Sequence, residues 1–151
     1  MQPFNEKTPA DLSSEVLRVL AKISPERGIH GNHLAQAVVS LSRLFTTARA
    51  MLPPHYLNDP AHASAYLLYF LPVNLSKAQV LLDELPWDRG VGAPDRPMAV
   101  LDLGSGPGTG ALALLDWLWH RSPDQATSVS VLAADASSAP LQEAKKLWEA
   151  Y

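Results

Sequence analysis

Residues 99–111 read Ala99-Val-Leu-Asp-Leu-Gly-Ser-Gly-Pro-Gly-Thr-Gly-Ala111. A short apolar run carries Asp102 near its end, a glycine-dense turn follows, and a long apolar helix begins at Thr109. This is the sequence form of a strand that delivers a ligand loop to a helix N-terminus. Glycines at 104, 106 and 108 permit positive φ and let a ligand lie against bare backbone. The N–H groups near Thr109, Gly110 and Ala111 offer donors and a positive dipole end to a carboxylate or phosphate.

Downstream, the pattern predicts one more strand and helix. Met98–Leu103 reads as a buried strand, 104–108 as the loop, and Thr109 to about His120 as a helix apolar over most of its surface. Pro123-Asp124 marks a turn, and Ser128–Ala134 reads as a second strand leading into Asp135. Ser137 or Ser138 can cap a last helix, which Pro140 enters. Crossovers of this length imply parallel strands joined right-handedly. Two parallel strands alone make no stable domain, because parallel sheets are buried on both faces.

Upstream, Pro86 to Pro97 reads as a linker, with Pro86, Pro94, Pro97, Gly90 and Gly92. It separates a helical N-terminal region, 1–85, from the α/β segment, 98–151. In the helical region, Thr8-Pro9-Ala10-Asp11 opens a first helix carrying Leu12, Val16, Val19, Leu20 and Ile23 at helical spacing, which Ser24-Pro25 ends. A second helix runs from about Gly31 to Met51, with Leu34, Val38, Leu41, Phe45 and Ala48 on one stripe. Pro53-Pro54 breaks the chain, and Asn58-Asp59-Pro60 restarts it with a cap and a first-turn proline. The next helix runs from about Pro60 to Phe70, where Pro72 interrupts it; Ser76 then caps a helix to about Leu85. Tyr66, Tyr69 and Phe70 read as core packing rather than a stacking platform for bases.

Composition narrows the partners. The 151 residues are 47% apolar and 18% charged, as in a globular protein with a sizeable core. Formal net charge is −3, which gives no global case for nucleic acid or an anionic membrane. No acidic residue lies between Glu26 and Asp59, while His30, His33, Arg43, Arg49 and His55 fall within that interval. A solvated helix face explains this, and a phosphate-contacting surface is the sharper alternative. The histidines lack nearby acidic or thiolate ligands, so no metal is expected. The chain has no cysteine, which removes disulfides, thiolate metal sites and cysteine nucleophiles. Met1–Lys7 resembles neither a signal nor a transit peptide, and the apolar run 65–75 is too short to span a bilayer. A soluble cytoplasmic protein with no membrane partner is expected.

Rival readings of the glycine loop separate on single residues. A phosphate-cradling P-loop ends in Gly-Lys-Ser/Thr, absent here. The dinucleotide fingerprint places a glycine where this chain has Thr109, and no acid where it has Asp102. The arrangement Asp-x-Gly-x-Gly-x-Gly, with Ala133-Ala134-Asp135-Ala136-Ser137 at the end of the next strand, resembles class I S-adenosylmethionine-dependent methyltransferases. Residues 60–137 carry a narrower resemblance. The stretch Ala65-Tyr-Leu-Leu-Tyr-Phe-Leu-Pro-Val-Asn-Leu75 and its helix, the proline-rich linker, and Val100-Leu-Asp-Leu-Gly-Ser-Gly-Pro-Gly-Thr109 are similar to the Rsm22-like family, methyltransferase-like proteins linked to the small ribosomal subunit in mitochondria and bacteria.

The resemblance implies an N-terminal helical region followed by the first βαβα part of a Rossmann-like domain, as the N-terminal part of a longer protein. It implies S-adenosylmethionine as cofactor, with Asp102 near the methionine amino group and Gly104, Ser105, Gly106, Pro107, Gly108 and Thr109 passing under the methionyl portion. Asp135, with Ala136 and Ser137, would receive the ribose hydroxyls. The implied acceptor is ribosomal RNA or the assembling small ribosomal subunit. A methyltransferase acting on a protein or small molecule, and a non-catalytic ribosome assembly module keeping the fold, stay open. The family's later strands and its cluster-binding cysteines do not occur in these 151 residues, so no catalytic base is named. Cofactor affinity is expected to be weak or absent unless self-association completes the sheet.

Overall fold

A computed structural model describes residues 12–23, 28, 31–86, 97–121 and 128–151. The described α-helices and strands are α1 (Ser14–Ile23), α2 (Gly31–Phe45), α3 (Pro60–Ala65), α4 (Leu71–Glu84), β1 (Met98–Leu103), α5 (Thr109–Arg121), β2 (Val129–Ala134) and α6 (Ser138–Ala150). The protein is mixed α/β, mostly helical, with a two-stranded parallel sheet. Met98 pairs with Val129 and the register runs unbroken to Leu103 opposite Ala134.

Local chemistry sets several element ends, sometimes away from the expected residue. Ser13 caps α1: its hydroxyl oxygen accepts the Val16 N–H at 3.1 Å and its carbonyl the Leu17 N–H at 3.0 Å. The expected Thr8–Asp11 cap, the Ser24-Pro25 stop, His30, most of the linker and the Pro123-Asp124 turn lie outside the described residues. Helix α2 stops at Phe45, short of Met51. There the Thr46 hydroxyl bonds the Ser42 carbonyl at 2.8 Å and the Ala48 N–H reaches back to the Arg43 carbonyl at 2.9 Å. A β-branched residue that satisfies the backbone with its own side chain favours such an end. A 3₁₀ turn, Arg49–Met51, follows. Asp59 caps α3 as expected, accepting N–H bonds from Ala61 at 2.8 Å and His62 at 3.0 Å. The His62 N–H bond, aided by that of Ala61, holds its carboxyl below the usual range.

Pro72 does not break the helix. A π-helical turn over Tyr66–Phe70 precedes it, with the Leu71 N–H bonded to the Tyr66 carbonyl. This wider turn shifts the hydrogen-bond ladder, so the missing proline N–H opens no gap that ends the helix. Ser76 therefore lies inside α4 rather than capping it. Pro60–Glu84 is one continuous 25-residue helical stretch with a mean hydropathy of 1.2 over its most apolar window. By length and composition it could cross a membrane, unlike the shorter run read from sequence. Its stripe Leu67, Leu71 and Leu75 is fully buried against Val16, Val19 and Ile23 of α1, Leu112 and Ala113 of α5, and Leu147 of α6. A second cluster joins Ala37 and Leu41 of α2 to Ala65.

Asp116 fastens the helical layer. Buried to 2% exposure, its carboxylate accepts bonds from the Ser13 hydroxyl at 2.5 Å, Gln79 Nε2 at 2.6 Å and the Tyr151 hydroxyl at 2.9 Å. These come from the start of α1, from α4 and from the end of α6. Trp117 Nε1 donates to Asp83 at 2.8 Å, a second tie between α5 and α4.

The sheet is lopsided. Met98, Val100, Val129 and Val131 turn toward the side that α5 packs against, whereas Leu101, Leu103 and Leu132 are 60%, 72% and 67% exposed. Among the described residues nothing covers that second face, which in parallel sheets is ordinarily buried.

Candidate functional site

The glycine loop is a left-handed path. Gly104, Gly106 and Gly108 have φ of 68°, 53° and 80°, values that an L side chain adopts only with strain. The backbone of β2 anchors its start, because the Ala134 carbonyl accepts both the Gly104 N–H at 2.8 Å and the Ser105 N–H at 3.1 Å. Ser105 then accepts the Gly108 N–H at 2.8 Å and closes the turn. A Cβ on Gly104 would meet nothing within 4 Å, and one on Gly106 would only touch the Tyr66 hydroxyl at 4.0 Å. Gly108 differs. Helix α6 lies on it, with Trp148 Nε1 and the Ala144 Cβ 3.1 and 3.2 Å from where a Cβ would stand. The first two glycines thus face open space, and the third admits a helix.

Both strand-end carboxylates grip this loop. Asp102 Oδ2 accepts the Ala111 N–H at 3.3 Å, at the start of α5, where the positive end of the helix favours an acid. The Ala111 donor expected to be free is therefore engaged, while Thr109 and Gly110 show no partner for their N–H groups among the described residues. Asp135 divides its two oxygens. Oδ2 accepts the Gly106 N–H at 2.9 Å, and Oδ1 accepts the Ser137 N–H at 2.9 Å in a turn that leads into α6. Ser137 stands at the N-cap of α6 but makes no capping bond through its side chain. Its hydroxyl instead donates to Asn58 Oδ1 at 3.2 Å. Ser138 and Ala136 are exposed, and Pro107 is buried in the turn.

That Asn58 contact brings in a wall that sequence reading did not assign to the site. Tyr56 and Asn58 lie in a short 3₁₀ turn, Tyr56–Asn58, and Tyr66 lies in the π-helical turn. Phe45 holds the two tyrosines edge-on at centroid distances of 5.5 and 6.5 Å. Phe45 also packs edge-on against Phe70 at 5.2 Å, so Tyr66 and Phe70 lie partly buried against the second cluster, while Tyr69 stays half exposed. Burial, with the Tyr66 phenol and the Asp135 carboxylate nearby, pushes the Tyr56 phenol up to about 12. No local sequence signal could have joined Asn58 to Ser137, because the pairing spans 79 positions.

Three buried polar atoms around the loop lack partners: Ser105 Oγ, Thr109 Oγ1 and Trp148 Nε1. Ser105 and Thr109 are only 6% and 7% exposed. Buried polar atoms are nearly always hydrogen-bonded, so three orphans beside one loop are the arrangement expected of a polar ligand site. Of the ten residues expected at a cofactor site, Asp102 lies near the end of β1, Gly104 to Gly108 form the loop, Thr109 opens α5, and Asp135, Ala136 and Ser137 form the turn after β2. Among the described residues, no group of three or more His, Asp or Glu side chains could hold a metal ion. No protein-family model, curated protein or solved structure matches the chain.

Proposed function

We propose that the chain carries the cofactor-binding loop of a Rossmann-like class I methyltransferase of the Rsm22-like type, acting on ribosomal RNA or on the assembling small ribosomal subunit. One observation supports this above the rest. Carboxylates at the ends of two adjacent parallel strands bracket a three-glycine loop whose buried hydroxyls lack partners. The residues present fit S-adenosylmethionine. Gly104 and Gly106 leave backbone open to a ligand, and Ser105 and Thr109 carry unpartnered hydroxyls on the same loop. When bound, the cofactor supplies a methyl group activated by its sulfonium for displacement by the acceptor.

The chain's own contribution is binding and orientation. An ionised carboxylate has about four acceptor positions, so Asp135 can keep its two loop bonds and still receive two ribose hydroxyls. The N–H groups of Thr109 and Gly110 suit the methionyl carboxylate. Asp102 and Asp135 both hold backbone N–H groups, a role that favours fixing the loop over moving protons. That same engagement favours one second reading, a non-catalytic ribosome assembly module that keeps the loop as scaffold.

Titration of the ¹⁵N-labelled protein with S-adenosylmethionine tests the proposal. Saturable shifts at residues 104–109 and 135–137 are expected, with millimolar affinity, and Asp135→Asn should abolish them while the circular dichroism stays native. Saturable shifts at other residues, with 104–109 and 135–137 unmoved, would sink the cofactor reading. The module reading predicts ribosomal RNA association that Asp135→Asn leaves unchanged.

A further inference from the structure

We infer that the outer face of α2 docks an acidic, amphipathic helical segment of a protein partner. The C-terminal part of α2 and the 3₁₀ turn Arg49–Met51 enclose an open groove of about 610 Å³. Ala35, Val39, Leu44 and Ala48 contribute its apolar lining, with Met51 and Arg43 also bordering it. Val39 is 60% and Met51 76% exposed, so among the described residues nothing covers this apolar surface. Val39 and Arg43 are one helical turn apart and share a face. An unbranched methionine at such an edge adapts to varied apolar partners.

Charge specifies the occupant. No Asp or Glu occurs from 27 to 58, and Asp59 is engaged by the Ala61 and His62 N–H groups. Among the described residues no carboxylate pairs with Arg43 or Arg49. A mainly apolar channel with the Arg43 guanidinium on its border, and Arg49 in the adjoining turn, matches a helix whose leucines fall at i, i+3, i+4 and i+7 with glutamates alongside. RNA is the poorer match, because single-strand sites interleave stacking aromatics with many cations. This groove has no aromatic lining and one arginine within it. The inference stands apart from the cofactor reading, since none of these residues touches the glycine loop.

The test uses a fluorescein-labelled peptide helix of that design, its Glu→Lys counterpart, and a single-stranded RNA oligonucleotide, each titrated into the ¹⁵N-labelled protein. The acidic peptide should bind saturably and shift residues 35–51. Val39→Asp and Arg43→Glu, both at exposed positions, should each weaken it at least about tenfold, as loss of an interface anchor does. Arg43→Glu should also improve the basic peptide. Failure of the acidic peptide to saturate, equal binding of the basic peptide, shifts confined to other residues, or tighter RNA binding on 35–51 would each overturn the inference.

Discussion

Alanine at Gly108 should damage the fold more than alanine at Gly104, although the two positions look alike in sequence. Both have positive φ, 80° and 68°, so each alanine carries the left-handed cost of roughly 1–2 kcal/mol. Each also recovers about 0.4–1 kcal/mol by restricting the unfolded chain. At Gly104 nothing else enters, because a Cβ there meets no atom within 4 Å. The net cost of Gly104→Ala is therefore about 1 kcal/mol. At Gly108 the new Cβ lies 3.2 Å from the Ala144 Cβ and 3.1 Å from Trp148 Nε1. Ala144 is fixed to the α6 backbone and cannot turn away, so overpacking adds roughly 1–3 kcal/mol. The total for Gly108→Ala is about 2–4 kcal/mol. Urea unfolding followed by tryptophan fluorescence and circular dichroism measures both, and the fluorescence should also report the displaced Trp148. Gly106→Ala, whose Cβ would only reach the Tyr66 hydroxyl at 4.0 Å, should behave like Gly104→Ala. Equal losses at 104 and 108 would refute the claim that α6 seats on the third glycine.

Three further outcomes are expected. Asp116→Ala leaves the Ser13, Gln79 and Tyr151 donors without their acceptor, at a cost of about 3 kcal/mol or more in urea unfolding; a loss below about 1 kcal/mol would remove Asp116 from its role as the tie between helices. The Tyr56 phenol is raised from 10.0 to about 12 in the folded state, so its contribution is complete below pH 10 and declines as pH rises from 10 through 12. Tyr151 is raised too, by burial and the adjacent Asp116, and adds to the alkaline loss in the same direction. Tyr56→Phe should flatten the decline between pH 10 and 12, and an unchanged slope would contradict the assignment. Finally, Leu101 and Leu132 pair across the sheet on its open face. Sedimentation should show concentration-dependent self-association that Leu101→Ser with Leu132→Ser removes, whereas a wild-type monomer at every concentration would count against it.

The parts of this fold that were legible in the sequence are those fixed by neighbours along the chain. Asp59-Pro60, the strand Met98–Leu103 and the helix start at Thr109 depend on caps, alternation and glycine, all of which act over a few residues. Pro72 misled for a definite reason. Its local rule predicts a break, but a π turn five residues wide absorbs the missing donor, and the buried stripe Leu67, Leu71, Leu75 rewards a continuous helix. The α2 end shows the converse, a local bond from Thr46 stopping an apolar periodicity that continues in sequence. The wall of the site was beyond reach. Tyr56, Asn58 and Tyr66 join the glycine loop only after the helical region folds against α6, and none of them carries a motif.

Asp135 shows why a strand-end acid is a weaker sign of a ligand by itself than in company. Its two oxygens already complete internal bonds, one to Gly106 and one to Ser137, so the fold alone gives a reason to have an acid there. The same would hold for Asp102 at the start of α5. What internal bonding leaves unexplained is the set of buried hydroxyls at Ser105 and Thr109, placed where they cost stability unless something polar arrives. Asp135→Asn and Ser105→Ala therefore separate the two roles. The first removes a charge that shapes the loop and should lower stability and binding together. The second removes only an unpartnered hydroxyl, so it should leave stability level or slightly higher while weakening S-adenosylmethionine. If Ser105→Ala instead destabilises the protein and spares binding, the hydroxyl serves the fold, and the loop loses its best claim to a ligand.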